Sequence, residues 1–208
     1  MGIRVMSYLG AEDGIASHFL SGPLDRFAAW IEEMEAEFPG DLPPGTLDLL
    51  RDVRARGAAA LQVPDAVHAA RVDRLLDLYY GHFCDSGPGR DLLVSADDAM
   101  LPERYYAAAL PLLERSSDHR QLADLWRLLL TGRPVLRDAR ELPYESGDRV
   151  FRLSYWTLGE CAHLHRERKA LVTWVGEPRS EGEHALEAML RAVETAIEAG
   201  VGLIVTVA

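Results

Sequence analysis

Two cysteine–histidine pairings carry the residue types best suited to metal or thiol chemistry. His82 and Cys84 stand two residues apart, and Cys161 and His165 stand four apart. On a helix the second pair shares one face, so both side chains can reach a single ion while His163 points elsewhere. A tetrahedral zinc site needs four ligands, and structural sites bring them as paired spacings from two places. His82, Cys84, Cys161 and His165 would make such a set only if the fold joined the pairs, and nothing in the sequence does so. Cysteine is also a common core residue with no reactive role. The expectation is therefore no metal and no cofactor, with these four residues as the candidates against it.

Cys84 as a nucleophile has His82 nearby and Asp85-Ser86-Gly87 after it. Thiolate catalysis needs a base in reach and a third group to orient that base. His-x-Cys in a loop matches no such motif. Serine hydrolysis has no G-x-S-x-G elbow. The stretch Gly81 to Gly89 lacks both the GK[ST] ending of a phosphate loop and the G-x-G-x-x-G of a dinucleotide site, so Gly87-Pro88-Gly89 reads as a turn. Asp97-Asp98 and Glu12-Asp13 are adjacent in sequence, and helical neighbours diverge by about 100°. Such pairs are poorly placed to share a proton.

What remains is a set of aromatic and polar residues suited to contact. Tyr79, Tyr80, Phe83, Tyr105, Tyr106, Trp126, Tyr144, Tyr155, Trp156 and Trp174 crowd the middle and late chain. Most must be core, but rings with a polar handle suit half-buried contact surfaces. Tyr155 and Trp156 point to opposite faces of their strand. Tyr80, His82, Arg90, Tyr155 and Trp156 are the expected binding residues, with Arg90 able to hold an anion. No catalytic residue is assigned.

The elements that must position these groups can be read in order. Ile3, Val5, Ser7 and Leu9 suggest an opening strand. A short helix from about Glu12 to Leu20 is followed by a better one opening at Pro23, with Glu32, Glu33, Glu35 and Glu37 on its solvated side. Thr46 is placed to cap a helix closed by Gly57, and Asp65 to cap another running to about Tyr80. Gly81 to Arg90 should break that helix. Pro102 begins the next, which Pro111 should kink or split. Asp118 with Gln121, Thr157 with Glu160, and Ser180 with Glu183 have capping-box spacing. Arg133 to Asp148 reads as a loop, Val150 to Trp156 as a strand, and Leu171 to Val175 as a strand or a helical tail. The last helix carries Leu186, Met189, Leu190, Val193 and Ile197 on one face, Gly200 ends it, and Val201 to Val207 makes a buried strand.

These elements predict a single α+β domain over residues 1–208. A small mixed sheet would include the N- and C-terminal strands and be surrounded by helices. At 208 residues the chain can bury a sizeable core, and 48% apolar composition excludes a mostly disordered one. With 22 basic and 33 acidic residues the net charge is −11. No basic stripe is present, which argues against nucleic acid and against anionic membranes. No apolar run approaches membrane-spanning length and no signal-peptide pattern opens the chain. Two cysteines make no disulfide framework, so a cytoplasmic location with reduced thiols is expected. Lys169 is the lone lysine among the cations, a bias that fits a GC-rich bacterial genome.

LWRLLLTG (Leu125 to Gly132) resembles the tryptophan-centred helix of the YfbM-like bacterial proteins, a family of unknown function. RLSYWTLGECAHL (Arg152 to Leu164), followed by the closing helix and strand, is similar to that family's late order of elements. The likeness is mainly over residues 118–208. It implies an α+β fold and supplies no catalytic residue.

The function expected is a non-catalytic binding or accessory protein for a peptide or protein partner, such as a precursor peptide in a bacterial biosynthetic pathway. A sheet edge, to which peptides can add a strand, a groove, or the aromatic middle of the chain is the expected docking place. The alternatives are an enzyme of unrecognised type, metal-dependent through the four candidates, and an immunity-type protein neutralising a toxin through its acidic surface. Homo-oligomerisation is left open.

Overall fold

The structure is a computed structural model that describes residues 4–11, 14–62, 65–115, 119–133, 152–171 and 178–207. In chain order its elements are β1 (Arg4–Leu9), α1 (Ile15–Leu20), α2 (Leu24–Glu37), α3 (Thr46–Arg56), α4 (Ala58–Leu61) and α5 (Ala66–Asp77). A π-helical segment, Leu78–Cys84, continues α5. Then come β2 (Leu101–Pro102), α6 (Glu103–Glu114), α7 (Arg120–Thr131), β3 (Arg152–Trp156), α8 (Leu158–Leu171), α9 (Glu181–Ala199) and β4 (Leu203–Val207). The described residues group into two compact units. One holds residues up to Gly14, those from Val94 to Arg133, and those from 152 onward. The other runs from Ile15 to Leu93.

The first unit is α+β, with the N- and C-terminal strands in one sheet of order β2-β1-β4-β3. Every pairing in it is antiparallel, where the sequence predicts a mixed sheet. The reason lies in the connection. One helix between neighbouring strands returns the chain parallel, whereas β3 and β4 are joined by two helices, α8 and α9, which reverse it. Val5 pairs with Val207 and Leu9 with Leu203 across β1 and β4, and Trp156 pairs with Leu203 across β3 and β4. Val5, Trp156, Leu203, Val205 and Val207 form one face. Against it pack Tyr106, Trp126 and Leu129 of α6 and α7, Leu164 of α8, and Leu186, Met189 and Val193 of α9. Each such side chain, fully buried, stabilises by about 1.5–3 kcal/mol. All five residues of β4 are buried, and all but Thr206 are apolar.

Local chemistry explains the ends of these elements. Ser180 accepts from the Glu183 amide while Glu183 accepts from the Ser180 amide, a complete capping box. Thr157 and Glu160 make the same exchange at α8 (3.3 and 2.8 Å). Gly200 closes α9 at φ 70°. Gly182 lets α9 approach α6: a Cβ there would stand 2.5 Å from the Ala108 carbonyl. Pro111 does not split α6, which runs unbroken from Glu103 to Glu114. Packing between α7 and α9 holds the helix, and the Trp126 indole donates to the Tyr106 carbonyl (2.7 Å), one turn before the proline. The expected cap at Asp118, the loop Arg133 to Asp148 beyond its first residue, and most of Leu171 to Val175 lie outside the described residues. Leu171 itself is the last residue of α8.

The second unit is helical. Its core is aromatic: Phe19, Phe27, Tyr79, Tyr80 and Phe83 are buried. Phe19, Phe27 and Phe83 each stand within 5.6 Å, centroid to centroid, of the Tyr79 ring. Here the break expected within Gly81 to Arg90 comes after Cys84. The helix first widens into a π segment, and Tyr79, Tyr80, Phe83 and Cys84 all turn inward. Burying three aromatic rings and a thiol outweighs the poorer hydrogen-bond geometry of the wider turn. α3 starts at Thr46, with Gly45 rather than Thr46 in the capping position; the Thr46 hydroxyl donates back to the Pro43 carbonyl (2.6 Å).

Candidate functional site

Of the five residues expected to bind a partner, two are interior. Tyr80 is 0% exposed and Trp156 1%. Trp156 packs edge-on against Trp126 in the sheet core (6.2 Å). The Tyr80 hydroxyl donates to the Ile15 carbonyl (3.1 Å) and meets His18 Nδ1 at 2.9 Å. A hydroxyl has one proton, so a Tyr80 that donates to Ile15 must accept from His18 Nδ1–H. That fixes the tautomer and leaves the lone pair on Nε2. Burial holds the His18 pKa below its usual value and pushes that of Tyr80 well up. Neither Tyr80 nor Trp156 offers a contact surface, because both fill cores. His82 and Arg90 are exposed and belong to the helical unit, and Tyr155 is half-buried in the sheet unit. The five are thus divided between two units. Tyr144 and Trp174 lie outside the described residues.

The thiol and metal candidates are divided in the same way. His82 and Cys84 lie in the helical unit, Cys161 and His165 in the sheet unit. Among the described residues no three or more His, Cys, Asp or Glu side chains gather as a metal site. Cys84 and Cys161 are buried, and burial raises each thiol to about 12. A thiol so raised is protonated at neutral pH and a poor nucleophile. His165 stands on the exposed side of α8, 3.9 Å from Glu194. Asp97 is held by Arg191 (3.3 Å).

The outer edge of β3 is partly capped. The Arg133 amide donates to the Leu153 carbonyl (2.9 Å), and its guanidinium donates to the Tyr155 carbonyl (3.0 Å) and to Glu160 Oε2 (2.8 Å). The same guanidinium lies over the Tyr155 ring at 4.2 Å. One arginine therefore takes up outward carbonyls of β3 and covers Tyr155. On the other side, β1 pairs with β2 and also bonds the stretch Val94 to Ala96. Capping an edge in this way protects it from further strand pairing.

The open surface is on α3. Its inner side, Leu49, Leu50 and Val53, is buried. Its outer side presents Asp48, Arg51, Asp52, Arg54 and Ala55 to solvent. Three concavities border it. One of about 800 Å³ lies between the start of α2 (Gly22 to Arg26) and Arg51, Arg54 and Ala55. A second, about 360 Å³, runs from Glu35 and Gly40 along the loop to Asp48 and Arg51. A third, about 480 Å³, is lined by Gly45, Asp48, Leu49, Arg51, Asp52, His68 and Arg71. Arg51 borders all three. Its ion pair with Asp48 (3.1 Å) is a one-turn surface pair whose carboxylate side is 83% exposed. Arg54 pairs with Asp25 (2.5 Å), Arg56 with Asp52 (2.6 Å), and Arg26 with Asp91 (3.2 Å). The Arg26 hydrogen bond holds the Asp91 carboxyl below its usual pKa. His68 donates from Nε2 to the Ala60 carbonyl (2.8 Å).

Sequence reasoning passed over this surface. Asp48-Leu-Leu-Arg51-Asp52-Val-Arg54 is an alternating-sign run on a predicted helix, and such runs are usually solvated faces. The Pro-Pro-Gly loop before it was the available signal, since a stiff turn beside a charged helix face makes a concave border.

No protein-family model, no curated protein and no solved structure matches the chain. The YfbM-like resemblance rests on the residues quoted for it alone.

Proposed function

We propose that the protein is a non-catalytic binding protein for a peptide or a segment of a protein partner, received on the outer face of α3. One observation carries this reading: three concavities on the helical unit meet at Arg51. Three concavities that share one arginine offer more contact to an extended chain than to a compact small molecule. Arginine is enriched among the residues that dominate interfaces, and its present partner is an exposed carboxylate. Exposed pairs are worth about 0–1 kcal/mol, so Arg51 can exchange Asp48 for a ligand group at little cost. The narrower form, recognition of a precursor peptide in a bacterial biosynthetic pathway, is the same proposal with a named partner class.

The test is selection from a displayed random-peptide library on the full chain, followed by titration of the selected peptides. Arg51→Ala should weaken them about tenfold or more, with an unchanged melting temperature. Selected peptides that bind Arg51→Ala as tightly as the parent would overturn the assignment, as would the absence of any selected binder.

A further inference from the structure

Resting on that reading, we infer that the bound segment is acidic and that Arg71 anchors one of its carboxylates. The cations around α3 divide into two kinds. Arg26, Arg51, Arg54 and Arg56 each have a carboxylate within 3.2 Å. Arg71 has no ion pair or hydrogen bond among the described residues. It lines the third cavity beside Arg51. Its guanidinium lies over Gly45, with Cζ 3.7 Å from where a Cβ would be. Gly45 has φ +81°, a conformation side chains rarely adopt, so the same residue makes the turn and leaves the space.

The two carboxylates of that cavity are engaged already. Asp48 holds Arg51 at i+3, and Asp52 holds Arg56 at i+4. The uncommitted charge facing the cavity is therefore that of Arg71. A guanidinium is a planar donor fork that matches a carboxylate in two parallel hydrogen bonds. Its neighbour Arg51 can add a third from an ion pair that solvent already weakens. The net charge of −11 is screened over about 8 Å at physiological salt, and within the cavity Asp48 and Asp52 are already paired with Arg51 and Arg56. Within the cavity the nearest free charge decides.

A peptide suits the site better than a free anion. α3 has 11 residues, about 16 Å at helical rise. An extended chain covers that length in about five residues at ~3.3 Å each. A small anion would fill the third cavity and leave the two others that Arg51 borders without a role.

The experiment uses the library-selected peptides, resynthesised with amidated and with free C-termini, and their Gln or Asn counterparts. Selected sequences should be enriched in Asp or Glu at one position, or should need the free C-terminal carboxylate, and the two synthetic forms tell these sources apart. Neutralising that group should weaken binding about tenfold or more. Arg71→Ala should weaken the acidic peptide as much and leave its neutral counterpart unaffected, and Arg71→Lys should recover only part of the loss. Neutral peptides that bind as tightly as acidic ones, yet depend on Arg51, would overturn the acidic assignment and leave the groove reading standing. Peptides indifferent to both arginines would remove both. Inorganic phosphate that binds at sub-millimolar concentration through Arg71, without competing peptide affinity, would replace the peptide by a simple anion.

Discussion

The sheet unit and the helical unit both carry exposed ion pairs, such as Arg104–Glu181 in the first and Arg51–Asp48 in the second, but they differ in the polar groups their folds enclose. In the first, the charged and hydrogen-bonding side chains close the fold on itself: Arg133 ties β3 carbonyls to Glu160, and capping boxes end their helices. In the second, the aromatic residues are turned inward through a π segment while the charges stay outside in exposed pairs. A side chain with buried partners on several sides cannot be released to a ligand without loss of structure. One with a single exposed partner can. On the proposed reading, the sheet serves as scaffold and α3 as the contact face.

The largest effect should come from Trp156→Ala. It removes a fully buried indole from the sheet core, and such truncations cost about 3–5 kcal/mol. Thermal or urea unfolding should show a sharply less stable protein; an unchanged midpoint would mean that the ring is not packed as described. Arg133→Ala comes next, at about 2 kcal/mol, because it removes the guanidinium from the half-shielded Glu160 carboxylate and from the Tyr155 carbonyl, while the backbone bond to Leu153 remains. Freeing the edge should also raise self-association, readable by light scattering; a variant that stays as stable and monodisperse as the parent would show that the lock is idle. Ser180→Ala should cost about 1 kcal/mol through the lost cap. Arg51→Ala should cost less than about 0.5 kcal/mol, and a larger loss would place Arg51 in the scaffold class and dissolve the comparison.

His18 adds a pH dependence to the helical unit. Its folded pKa lies below 6.5, lowered by burial. As pH falls through 6.5 the unfolded chain takes up the proton first, so stability drops and goes on dropping until the folded pKa is reached. Above 6.5 this contribution is fully present. Unfolding free energies from pH 7.5 downward should therefore decline more steeply for the parent than for His18→Gln, and parallel slopes would contradict the buried, neutral imidazole.

Legibility in the sequence followed the range of the interactions. The cap at Ser180 and Glu183, the stop at Gly200 and the apolar strand after it are local, and they stand where their residue types place them. The direction of strand pairing depends on how many helices join β3 to β4, and that is long-range information. Tyr80 and Trp156 carry the same side-chain chemistry whether at a surface or in a core, so their type could not decide their place. Arg133 is 22 residues from the Tyr155 carbonyl it bonds, with no pattern linking them. The α3 face was visible only as charges; that Arg51 borders three concavities follows from the packing of α2, the loop before α3 and α5 around it.

Hydrogen exchange with and without a saturating selected peptide tests the division of labour most directly. Protection should rise over Gly45 to Arg56 and over Asp65 to Arg74, and stay unchanged over Arg152 to Trp156. Protection that appears along β3, with α3 unaffected, would put the ligand on the sheet edge and contradict the assignment of contact to the helical unit.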